Sequence, residues 1–112
     1  MEEAVETIEK ATVAINKFSA KNDGNYNQVV RWINTKEIHA TKIQDSVQSY
    51  FLAQRVKPEA EGDKAKYDVY TKKVILLHQI IVAAMKTKQT TDMQYTNQLK
   101  DLIKEFKTLY NS

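Results

Sequence analysis

Two histidines, His39 and His78, and a complete lack of cysteine bound the chemistry open to this 112-residue chain. Without a thiol there is no disulfide framework, no thiolate metal site and no cysteine nucleophile. A metal held on a helix needs ligands three or four residues apart, so that they converge on one face, and carboxylate-bridged bundles use a Glu-x-x-His repeat. Glu37 and His39 stand two apart and point to different sides of a helix. The face neighbours of His78 are Val74, Ile75, Ile81 and Val82, and none of these is a ligand. The expectation is no metal and no cofactor, with His78 a core or interface histidine that has one ring nitrogen hydrogen-bonded. No Gly-x-Ser-x-Gly elbow and no glycine-rich phosphate loop occur, and the carboxylates are scattered over solvated faces. A chain without converging polar groups reads as a non-enzyme.

His39-Ala40-Thr41-Lys42 resembles part of the motif of histidine phosphotransfer domains, which are four-helix bundles of about this length. The resemblance implies a phosphoryl group on His39 at an exposed helix face, with Lys42 one turn on to help neutralise it. Ile43 stands where that family has glycine after the lysine, leaving room for the partner domain.

Charge points to proteins rather than nucleic acid. Lys and Arg total 17 against 14 Asp and Glu, for a net charge of +3, but only Arg31 and Arg55 are arginine. Phosphate and base recognition favours clustered basic faces with arginine forks, and here the lysines are spread along the chain. Lys64, Lys66, Lys72, Lys73, Lys86 and Lys88 bracket one apolar segment, a pattern that suits an acidic protein partner.

The elements that must position these residues are helices. Two glycines and one proline leave few breaks, and 42% of residues are hydrophobic, enough for one core in a single domain spanning 1–112. Met1, Ala4, Ile8, Ala11, Ile15 and Phe18 alternate by three and four, the stripe of a first helix that ends at Asn22-Asp23-Gly24. A second helix is expected from an Asn25 cap, with Gln28 as capping-box partner, to about Val56 before Pro58. Its stripe reads Tyr26, Val29 or Val30, Ile33, Ala40, Ile43 or Gln44, Val47, Tyr50 and Phe51. The stripe fails at Asn34-Thr35-Lys36-Glu37, where the helix is expected to bend or to lie at the surface. Residues 57–62 read as a loop, with Asp63 capping a third helix. Thr91 and Gln94 read as the capping box of a fourth, which buries Tyr95, Leu99, Leu102, Ile103, Phe106 and Leu109. The fold class is all-α, an antiparallel up-down four-helix bundle; a three-helix reading with the first helix detached or exchanged between two chains is the alternative architecture.

The third helix carries more apolar surface than one core can cover. Tyr67, Tyr70, Val74, Leu77, Ile81 and Ala84 form one stripe with Val69, Leu76, Ile80 and Ala83 beside it, while Thr71, Ile75, His78, Val82 and Met85 point elsewhere. The apolar run from Val74 to Met85 is 12 residues, against about 20 for a membrane span. The sequence therefore reads as a bacterial non-catalytic binding module, a regulator or inhibitor. It would dock a helix face carrying Ile75, His78, Val82 and Met85, with Trp32, His39 and Ile43 nearby, onto an enzyme with an acidic surface. It is expected to be a homodimer and soluble, cytoplasmic where Met1 is native and exported where a leader has been removed. The other readings are phosphotransfer through His39 and a structural subunit of a larger assembly.

Overall fold

A computed structural model describes residues 1–21 and 26–111. Within them the chain is helical: α1 spans Glu2–Lys21, α2 Tyr26–Asp45, α3 Lys64–Gln89 and α4 Met93–Tyr110. A π-helical segment, Ser46–Arg55, continues α2. The helices pack as a rod of 62 × 22 × 20 Å in which α1 touches α2 and α4, and α3 touches α2 and α4. No helix among the described residues is long and apolar enough to cross a membrane. The turn at Asn22-Asp23-Gly24 and the Asn25 cap lie outside the described residues.

The apolar periodicity sets the core. Val5, Ile8, Ala11 and Ile15 of α1 are buried, and Val5, Ile8, Leu77, Ile80, Leu99, Ile103 and Phe106 belong to one cluster. Phe106 is 1% exposed and meets Phe51 of the π-helical segment edge-on, with ring centroids 5.0 Å apart. The wider π turn is closed by the Val56 N–H donating to the Phe51 carbonyl at 2.7 Å, a five-residue spacing in place of four. Phe51 also meets Tyr110 at 5.4 Å, so this segment closes one end of the core with aromatic edges.

Local chemistry sets the starts of α3 and α4. Asp63 caps α3, its carboxylate accepting from the Lys66 N–H at 3.2 Å. The cap of α4 is Asp92 rather than Thr91, because the Asp92 carboxylate accepts from the Gln94 N–H at 2.9 Å. Thr90 takes a different part in the same turn, accepting from the Asp92 N–H at 3.2 Å through its hydroxyl.

Two expectations for α2 give way. Tyr26 is 71% exposed and leaves the stripe, and of Val29 and Val30 it is Val29 that is half-buried while Val30 is 53% exposed. At the charged interruption α2 runs unbroken, and Asn34 and Glu37 are at the surface as expected, whereas Lys36 turns inward at 3% exposure. Its four methylenes pack in the stripe between Ile33 and Ala40 while the amine reaches the Thr90 carbonyl at 3.2 Å.

Candidate functional site

His39 lies half-buried on α2, where its Nδ1 stands 2.8 Å from the Thr35 carbonyl. A carbonyl can only accept, so Nδ1 carries the proton and Nε2 is the nitrogen left for chemistry. His39 and Lys42 line a small depression with Met1, Glu3, Thr7 and Ser46. Ile43 lies beneath it at 0% exposure, packed in the core, and offers no surface to a partner.

Trp32, also on α2, is half-buried and faces α1. It lines an open apolar groove with Val13, Ala14 and Phe18, rimmed by Glu9, Lys10 and Lys17. That groove is built from α1 and α2 alone. The outer face of α3 is a separate surface on which Ile75 is 52% exposed, Val82 45% and Met85 42%. His78 is exposed on the same helix, which removes the core half of its reading as a core or interface histidine. The residues expected to act together thus divide: Ile75, His78, Val82 and Met85 share α3, Trp32 and His39 sit over separate depressions between α1 and α2, and Ile43 is internal.

Sequence reasoning missed a row of polar contacts that ties α1 and α2 to α3 and to the connection into α4. The Lys36 amine donates to the Thr90 carbonyl, and Asn16 Nδ2 donates to the Thr91 carbonyl at 3.0 Å. Further along α2, Gln44 Nε2 donates to the Ile81 carbonyl at 3.4 Å, and Lys88 donates to Gln44 Oε1 at 2.8 Å. Burial pushes the Lys36 amine below its ordinary value of 10.5, with the Glu37 carboxylate opposing the shift. The signal for Lys36 was in the sequence: positions 33, 36 and 40 keep the three-then-four spacing straight through the apparent gap. At the opposite end of the α1–α4 seam, a hydrogen bond from Lys107 holds the Glu2 carboxyl below its usual range.

The geometry supplies exposed apolar faces and polar ties, and the whole chain points to a class of protein. The family model of nickel-containing superoxide dismutase matches residues 1–112. The chain belongs to the nickel-containing superoxide dismutase family. None of the curated proteins compared with it matches, and none of the solved structures does.

Membership of an enzyme family overturns the reading as a non-catalytic inhibitor or regulator, and with it the alternatives of phosphotransfer through His39 and of a structural subunit. The family is named for nickel, and that alone does not test the expectation that these side chains hold no metal. The non-enzyme reading failed because it was drawn from local donor motifs, whereas the family match extends over residues 1–112.

The donor set does not fit nickel. Nickel takes imidazole, thiolate and oxygen ligands in a converging arrangement. The chain has no cysteine, and the described residues contain no group of three or more His, Cys, Asp or Glu able to hold a metal ion. His39 has Glu3 as the one carboxylate lining its depression, with the Lys42 cation opposing a metal there. His78 stands among Val74, Ile75, Ile81 and Val82 on its own helix. No step of a reaction is therefore assigned to these side chains.

Proposed function

We propose that this chain is the helical subunit of a nickel-dependent superoxide dismutase, whose overall reaction converts superoxide and protons to dioxygen and hydrogen peroxide. The observation that carries the reading is the family match over the full 1–112. A net charge of +3 suits an anionic substrate, since positive surface potential raises the rate at which anions arrive.

The subunit is a single bundle with neighbouring helices antiparallel. Two rows of contacts support that order. Lys100 pairs with Glu9 and Lys107 with Glu2, so numbering rises along α4 as it falls along α1. The Lys36 amine reaches Thr90 while Gln44 reaches Ile81, the same inversion between α2 and α3. Family members are oligomeric, and the outer face of α3, with Ile75, His78, Val82 and Met85, is the surface offered to a second copy.

The test uses the protein in the form its own cell makes, purified from nickel-supplemented and nickel-starved cultures. Superoxide dismutation should follow nickel content. Loss of the reading would come from inactive protein of full nickel content, or from activity that follows copper, iron or manganese instead.

A further inference from the structure

We infer that the described residues of the four helices form no nickel site, so that the donors they carry do not fit the metal for which the family is named. The choice of nickel rests on the family assignment. Nickel at protein sites is selected by ligand type and geometry, and a competent site needs several donors already converging, with their other atoms held by further hydrogen bonds.

Each donor type here lacks that convergence. Thiolate is absent from the sequence. His39 has one ring nitrogen occupied by the Thr35 carbonyl, and its depression also holds the Lys42 cation, which disfavours a second cation. His78 projects from the outer face of α3 next to Ile75 and Val82, with no second metal-ligating residue on that face of the helix. The carboxylates nearest a built interaction are already engaged with lysines: Glu9 with Lys100 at 3.2 Å and Glu2 with Lys107 at 2.7 Å. Asp63 and Asp92 hold helix N-termini through backbone N–H groups.

The interior is equally complete without a metal. No buried side-chain nitrogen or oxygen among the described residues lacks a hydrogen-bond partner, so the core leaves no orphaned polar atom for a metal to satisfy. The buried Thr12 and Thr87 hydroxyls donate within their own helices, to the Ile8 and Ala84 carbonyls. The bundle's apolar core and polar ties are thus complete without a metal, unlike domains whose folding energy is metal binding.

The experiment loads the 112-residue protein with equimolar Ni(II), desalts it and measures retained nickel by atomic emission, with thermal unfolding followed by circular dichroism in excess Ni(II) and in EDTA. The expected result is far less than one equivalent retained, with the same helicity and the same Tm in both solutions. A true site at a hundredfold excess of nickel over its Kd would raise Tm by about 11 °C for a chain of this length. One equivalent retained, together with such a shift, overturns the inference, and His39→Ala and His78→Ala would then show which imidazole is the ligand. The outcome is independent of the activity test above: inactive native protein would remove the dismutase reading, while nickel bound by the bundle would remove this one.

Discussion

Truncating Leu77 and Val82 to alanine, one at a time, tests how α3 is covered. The two residues lie five apart on one helix, yet Leu77 is 0% exposed and Val82 is 45% exposed. Leu77→Ala removes buried methyl groups and leaves a cavity in the buried core cluster, at a cost of about 3 kcal/mol. Unfolding entropy for 112 residues is about 0.24 kcal/mol/K, so this loss lowers Tm by about 13 °C. Val82→Ala removes methyl groups that already meet water for much of their area, and alanine's better helix propensity offsets part of what remains. The net change stays within about 0.5 kcal/mol, or about 2 °C. Thermal unfolding of dilute protein by circular dichroism measures both. A Val82→Ala variant that loses as much as Leu77→Ala under dilution would refute the assignment of this face as uncovered. A loss that grows with protein concentration instead locates Val82 in a contact between copies.

Further outcomes follow from particular contacts. Val82→Glu should leave helicity intact and weaken self-association in light scattering, because a carboxylate has no partner in an apolar contact; unchanged molar mass would move the interface away from α3. Lys36→Met should change the pH dependence of stability. The native amine releases its proton below 10.5, so the unfolded chain binds more protons between that lowered value and 10.5, and wild-type stability gains on Lys36→Met as pH rises through that window. Urea unfolding at a series of pH values measures the difference, and a flat difference up to pH 10.5 would refute burial of the amine. Asp63→Ala and Asp92→Ala should each cost about 1 kcal/mol, or about 4 °C in Tm, with Thr91→Ala nearly neutral; a larger loss from Thr91→Ala would return the cap to that residue.

The sequence by itself determined the helices, because their causes are local. Spacings of three and four mark the buried sides of α1, α3 and α4, Asp63 marks the start of α3, and Pro58 with Gly62 marks the longer loop. Tertiary packing decided what each ambiguous residue does. A lysine in an apolar stripe is surface or interior according to whether a carbonyl waits for its amine, and the Thr90 carbonyl that waits for Lys36 is 54 residues away in the chain. Ile43 and Gln44 competed for one inward position in the pattern, and both are buried because α3 supplies an apolar core to one and the Ile81 carbonyl to the other. The π-helical turn at Phe51 is equally non-local, since its rings rest on Phe106 and Tyr110 of α4. Function lay beyond the local reading because the family's signature is spread over the whole chain, while the residue types that motif reasoning searches for, thiols and clustered imidazoles, are missing from these helices.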